Sequence, residues 1–198
     1  MEVPIFPLNG AVLFPGTSLP LNIFEKRYIE MVDYALSKQR CIGMIQSNEK
    51  NKLYNIGCIG KIHSFSETTD GRYLISLQGT NCFKVKRELE KKHKFRLIEA
   101  EILDFNEDKD FVNEKQKNSL LEKYSRYIKV KKINLNLEEI QNIDFNQIIK
   151  FIAMISPFSD IEKQALLETK NLNDFYKKLQ SILELEIFEN YNDNKTIN

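Results

Sequence analysis

The hydrophobic period of this chain changes once, near Asn106, and that change limits the fold more than any other feature. Before it, apolar residues alternate in short runs broken by Gly and Pro. After it, they recur at spacings of three and four. The first period belongs to strands and the second to helices. The chain should therefore be α+β, a mostly β domain over 1–106 followed by an α-helical bundle over 107–198. A chain of this length buries about 70% of its surface on folding, enough for a core without staples.

In the first part, Val3–Leu8 is apolar but carries two prolines, which suits an edge strand or an extended wrap. Ala11–Phe14 is a second short run, ended by the turn signal Pro15-Gly16. Ser18–Leu21 stays extended because a residue before proline avoids helical angles. Asn22 and Glu25 resemble a helix cap, and Tyr28, Met31, Val32, Ala35 and Leu36 then share one helical face. Strands follow at Cys41–Ile45, Ile56–Phe65, Tyr73–Gln78, Phe83–Arg87 and Phe95–Phe105. Gly57 and Gly60 mark a bulge or a close backbone approach, Asp70-Gly71 a hairpin, and Gly79-Thr80-Asn81 a further turn. Short strands with such turns predict a small barrel or sandwich.

Four helical patterns follow. Leu120, Leu121, Tyr124 and Ile128 mark one, and Phe145, Ile148, Ile149, Ile152 and Ile155 a second, stopped near Ser156-Pro157. Ser159 with Glu162 is a capping box for a third. Phe175, Leu179, Ile182 and Leu183 define the last. Amphipathic helices of this length must bury their stripes on one another.

The catalytic inventory is thin. Neither a GxxxxGK[ST] phosphate loop nor a GxSxG elbow is present, and Gly57-x-x-Gly60 lacks the third glycine and the βαβ context of a dinucleotide site. Cys41, Cys58 and Cys82 show no CxxC spacing and no disulfide framework, which fits a reducing, cytoplasmic compartment. Cys58 and His63 are five apart, so in a regular strand they point to opposite faces, Cys58 buried and His63 at the surface. His93 reads as solvent-facing. Carboxylates pair only as surface runs such as Glu88/Glu90 and Glu138/Glu139. The expectation is no catalytic residue, no metal and no cofactor. No run of about 18 apolar residues exists to span a membrane.

Charge is nearly balanced, 29 basic against 28 acidic residues, without the footprint of a dedicated nucleic-acid binder. One stretch departs from this balance. Lys84, Lys86, Arg87, Lys91, Lys92, Lys94 and Arg96 meet only Glu88 and Glu90, between Phe83 and Phe95. A basic, aromatic strand pair can hold RNA phosphates and stack bases. The plainer reading is a solvated β-ribbon whose lysines protect an edge.

Three segments together carry a family resemblance: Val3-Pro4-Ile5-Phe6-Pro7-Leu8, Val12-Leu13-Phe14-Pro15-Gly16, and Leu19-Pro20-Leu21-Asn22-Ile23-Phe24-Glu25-x-Arg27-Tyr28. With Gly57-Cys58-Ile59-Gly60, Asp70-Gly71-Arg72-Tyr73 and Glu162-Lys163-Gln164-x-Leu166-Leu167-Glu168, they resemble the Lon protease N-terminal, or substrate-binding, domain. Where many relatives have histidine, this chain has Asn22, a good helix N-cap.

The resemblance implies a PUA-like β pseudo-barrel followed by a helical bundle. It implies a stand-alone domain without ATPase or protease modules, binding unfolded or degron-bearing polypeptide beside a separate protease or chaperone. Phe14, Leu21, Phe24 and Tyr28 are then the candidate peptide-binding residues. Pro15, Gly16, Pro20, Asn22, Glu25, Arg27, Gly57 and Gly60 form the structural signature. Two apart on a helix, Glu25 and Arg27 would each need a separate partner. RNA binding through the barrel and the ribbon 84–96 is the alternative.

Overall fold

The computed structural model describes residues 1–48, 52–90, 92–105, 114–137 and 143–196. Lys91, the Glu138/Glu139 run and the charged segment 107–110 lie outside them. The chain forms two compact units, Met1–Phe105 with Met154–Glu168, and Asn106–Ala153 with Thr169–Asn198.

The first unit holds β1 (Glu2–Pro7), β2 (Ser18–Ile23), α1 (Lys26–Leu36), β3 (Cys41–Ile45), β4 (Ile56–Glu67), β5 (Tyr73–Glu88) and β6 (Arg96–Ile102). These strands make one mixed six-stranded sheet in the order β2-β5-β4-β3-β1-β6, in place of the expected pseudo-barrel. A barrel gives every strand two neighbours and leaves no edge. Here β2 pairs with β5 alone, and β1 runs parallel to β3 while the other pairings are antiparallel. The 16-residue β5 accounts for the difference. Its first half pairs with β2 and its second with β6, so Gly79-Thr80-Asn81 continues a strand where a turn was expected.

The strand β1 is no edge strand. It lies between β3 and β6, and its prolines are tolerated because its partners are staggered: Pro4 faces Leu97 of β6, whereas Pro7 faces Ile45 of β3. Val3, Ile5, Ile45, Ile59, Phe83, Ile98 and Ala100 form one buried cluster from five strands. Ala11–Phe14 is not a strand, yet Val12, Leu13 and Phe14 are buried.

That loop is fastened to the sheet by backbone. Gly16 N–H donates to Gly79 O (2.9 Å), and Gly79 N–H donates to Thr17 O (2.8 Å). The Thr17 hydroxyl donates to Phe14 O (2.8 Å) and accepts from Phe14 N–H (3.2 Å). Gly79 is needed because a Cβ there would stand 2.2 Å from Phe14 O.

The hairpin at Asp70-Gly71 forms between β4 and β5 as its sequence suggests. The Asp70 carboxylate accepts from Arg72 Nε (2.8 Å) and from the Thr68 hydroxyl. Those bonds, Arg72 first, hold its carboxyl down at about 2. A depressed folded-state pKa contributes stability above the ordinary carboxylate range and loses it as pH falls through the folded value. NMR titration of the side-chain carboxyl should therefore find Asp70 ionised at pH 3, and Arg72→Ala should return it toward 3.8.

Helix α4 (Asp160–Leu167) belongs to this unit although it lies far along the chain; α3 (Phe145–Ile155) precedes it. Ser159 caps α4 through the expected box with Glu162. Its buried polar face ties it to the strands. Lys163 Nζ donates to Gly10 O (3.0 Å), and Gln164 Nε2 to Ile56 O (3.1 Å) and to Glu168 Oε1 (2.8 Å). Gln46 Nε2 donates to Asp160 O (3.0 Å) and Gln164 Oε1 (3.1 Å). Burial pushes the Lys163 ammonium pKa below its ordinary value. The run Lys163-Gln164-x-Leu166-Leu167-Glu168 is thus the clamp that seats α4 on the sheet.

In the second unit, α2 (Glu114–Val130) packs against α5 (Leu172–Thr196). Tyr124 and Tyr127 stack at 5.8 Å between ring centroids and are fully buried, and Phe175, Leu179 and Leu183 are buried on α5. Lys123 pairs with Glu184, and Lys131 with Glu186.

Candidate functional groove

The N-terminal end of α1 stands beside the β5–β6 connection, and a groove opens there. Two adjoining hollows of about 410 and 670 Å³ share Arg27, Lys94, Phe95 and Arg96. Ile5, Pro7, Tyr28 and Ser47 complete the first, and Glu88, Leu89, Glu90 and His93 the second. The groove joins two stretches that sequence had set apart, the signature ending in Arg27-Tyr28 and the basic ribbon ending in Arg96.

Helix α1 does not start as expected. Asn22 is a β2 residue opposite Leu74, and Glu25 is the N-cap, with extended backbone (ψ 130°) and no side-chain cap bond. Glu25 therefore lies outside the helical geometry that would keep it from Arg27. Arg27 Nε donates to its Oε2 at 2.9 Å, so the two residues are each other's partner. The Arg27 guanidinium also sits 4.4 Å from the Tyr28 ring centroid, a cation–π contact. Tyr28 is buried, packs edge-on against Phe6 at 4.3 Å, and is pushed above its ordinary pKa by burial, so it remains a neutral phenol.

The opposite wall is held by α1. Glu30 lies 3.6 Å from His93 Nδ1 and 3.8 Å from Lys94 Nζ. His93 is half-buried and stacked on Phe95 (4.8 Å, 15°), with Tyr34 at 5.1 Å, which corrects its reading as solvent-facing. Arg96 makes a bidentate pair with Glu88, at 2.8 Å from Nε and 2.6 Å from Nη2.

The other sequence candidates scatter. Phe14 is 1% exposed and fills the core, Leu21 is half-buried on β2, and Phe24 is 68% exposed. Of the four proposed peptide contacts, only Tyr28 lines the groove. Pro15 and Gly16 form the fastened loop, while Pro20 and Asn22 lie on β2. A Cβ at Gly57 would meet Met44 O at 2.5 Å, and the β4–β5 register shifts between Cys58 and Gly60, so both meanings of these glycines apply.

Four of the six described cations of the ribbon are met by a carboxylate. Lys86 lies near Glu101 (3.8 Å), Arg87 pairs with Glu99 (2.7 Å), and Arg96 and Lys94 are engaged as above. Lys84 is opposite Glu101 in the β5–β6 register, and Lys92 is exposed. Phe83 and Phe95 are buried, so neither offers a ring to a base. Among the described residues no group of three potential metal ligands is found.

Sequence reasoning missed Ile5, Pro7, Ser47, Leu89 and Glu30 as parts of the groove. Only the β1–β6 pairing and the position of α1 bring them together, and no local pattern carries that information.

The sequence model of the ATP-dependent protease La (LON) substrate-binding domain matches residues 2–184. A Lon protease of Buchnera aphidicola subsp. Baizongia pistaciae is 26% identical over 201 residues, covering 94% of this chain and 25% of that protein. A Lon protease of Brevibacillus choshinensis is 26% identical over 202 residues, covering 95% and 26%. The chain thus spans about a quarter of the length of the curated relatives it matches. Among solved structures, a Lon N-terminal domain protein from Xanthomonas campestris superposes with a TM-score of 0.69 at 22% identity, covering 93% of this chain and 98% of that one. The N-terminal domain of Mycobacterium avium complex Lon protease gives 0.61 at 15%, covering 93% and 98%. These likenesses show the fold.

Proposed function

The chain belongs to the LON substrate-binding domain family, a non-catalytic binding role, and from that premise we propose that it captures unfolded or degron-bearing polypeptide in the groove beside α1. It would deliver that polypeptide to a separate protease or chaperone in cytoplasmic protein quality control. The observation that carries this reading is the groove itself. Its base is closed by the buried side chains of Ile5, Tyr28 and Phe95, the half-buried Pro7 and Leu89 give it accessible apolar surface, and its rim is Arg27, Lys94 and Arg96. Such a surface suits an extended chain that lays apolar side chains on Pro7 and Leu89 and offers backbone carbonyls to the rim.

Phe24, exposed two residues before α1, extends the apolar surface at the same end of that helix. An unfolded segment must give up backbone freedom to bind, so the affinity should be about micromolar. Arg27→Ala and Phe24→Ser change exposed side chains and should leave the melting temperature within about 2 °C. Each should weaken binding of a labelled unfolded polypeptide by about fivefold or more, read by fluorescence anisotropy. Unchanged affinity in both variants would remove the groove from the account.

A further inference from the structure

We propose that Cys58 and Cys82 form a redox-sensitive cross-strand dithiol beneath α4, a modification site that works independently of the groove. Residues Cys58 of β4 and Cys82 of β5 are direct partners in the antiparallel register. Directly opposed residues point to the same face of a sheet, with Cα atoms about 4.5–5.5 Å apart. A disulfide needs a Cα separation of about 4.4–6.8 Å, so the backbone can accept the bond without rearrangement. The three cysteines of the chain form no disulfide in this structure.

The pair is also asymmetric. Cys58 is 0% exposed, whereas Cys82 keeps 7%. Cys82 is the less enclosed of two buried thiols and borders α4, so local opening of that helix exposes it to an oxidant first, and Cys58 is placed to resolve it. A hydroperoxide oxidises the Cys82 thiol to a sulfenic acid, releasing water or an alcohol. The Cys58 sulfur then attacks that sulfur, a second water leaves, and the S–S bond forms. In all, the two thiols lose two electrons and two protons to the peroxide.

The consequence falls on α4. The Cys82 thiol donates to Leu167 O, the last residue of that helix, at 3.7 Å. A disulfide sulfur has no proton to donate, so oxidation removes this tie while joining β4 to β5. The Lys163 and Gln164 bonds would then hold the helix without it.

The test uses the full chain, reduced, treated with hydrogen peroxide under native conditions, then denatured and alkylated with N-ethylmaleimide. The expected product carries one adduct, on Cys41, and peptide mapping finds Cys58 linked to Cys82 within one chain. Dithiothreitol should restore three adducts. Amide exchange over 160–167 should quicken at least about threefold in the oxidised form. A Cys41→Ser variant should form the same bond, with no adduct after peroxide and two after dithiothreitol, which excludes a role for that residue. Three adducts after peroxide, a bond to Cys41 or between chains, or irreversible oxidation of Cys82 alone would overturn the site. A Cys58–Cys82 disulfide with unchanged exchange over 160–167 would overturn its effect on α4.

Discussion

Replacing Gly79 by alanine should destabilise the first unit by about 3 kcal/mol, the combined cost of overpacking and of two strained backbone bonds. The added methyl would sit 2.2 Å from Phe14 O and 2.9 Å from Phe14 C, and these are backbone atoms that cannot rotate away. Relief requires the 14–17 loop to lift, and lifting stretches both hydrogen bonds that Gly79 makes to it. Phe14 and Leu13 would be drawn from the core with the loop. Gly71→Ala is the matched control. Nothing lies within 4 Å of a Cβ there, and only the positive φ of 79° is penalised, a cost of about 1 kcal/mol. Urea unfolding of both variants, followed by tyrosine fluorescence, should separate them clearly. Equal losses would show that the loop is not fastened as described.

Gln164→Ala should cost a similar amount, about 3 kcal/mol, by a different route. Gln164 is 3% exposed and takes part in three hydrogen bonds, to Ile56 O, to Glu168 Oε1 and from Gln46 Nε2. Truncation leaves the buried Gln46 and the half-buried Ile56 each with a bond unmade, whereas the exposed Glu168 can turn to water. Gln164→Leu refills the volume but not the bonds, so it should recover less than half of the loss. The change should be local as well, with amide exchange over 160–167 rising ahead of the strands. A leucine variant as stable as the wild type would show that α4 is seated by packing alone.

These two sites mark where sequence reading stopped. The switch of period near Asn106 announced strands followed by helices, because side-chain direction alone sets that pattern. The Ser159–Glu162 box and the Asp70-Gly71 hairpin were legible because each is a closed circuit within four residues. The pseudo-barrel was not correct, since strand count and turn chemistry do not say which strands become neighbours. A β5 long enough to serve β2 and then β6 reads, locally, as two strands with Gly79 between them.

The groove was half legible. Arg27-Tyr28 and Lys94-Arg96 stood out for separate reasons, as a signature and as a charge run. Sequence gives the charge of a ribbon but not the carboxylates opposite it, and here Glu101, Glu99 and Glu30 meet Lys86, Arg87 and Lys94. Phe14 stood among the peptide contacts through the resemblance, which carries no information on burial, whereas the Gly79 contacts draw its loop against the sheet and the side chain into the core.

The most direct test of polypeptide capture is a paired titration of a labelled unfolded protein and a labelled single-stranded RNA, each at about 0.05 and 0.5 M salt. Apolar contacts with Pro7, Leu89 and the exposed Phe24 should dominate, and the rim cations Arg27 and Arg96 are already paired to Glu25 and Glu88. Polypeptide affinity should therefore stay near micromolar and change by less than about threefold, with RNA binding negligible at both salts. Tight RNA binding that falls by orders of magnitude at the higher salt, with no measurable binding of the unfolded protein, would contradict the account.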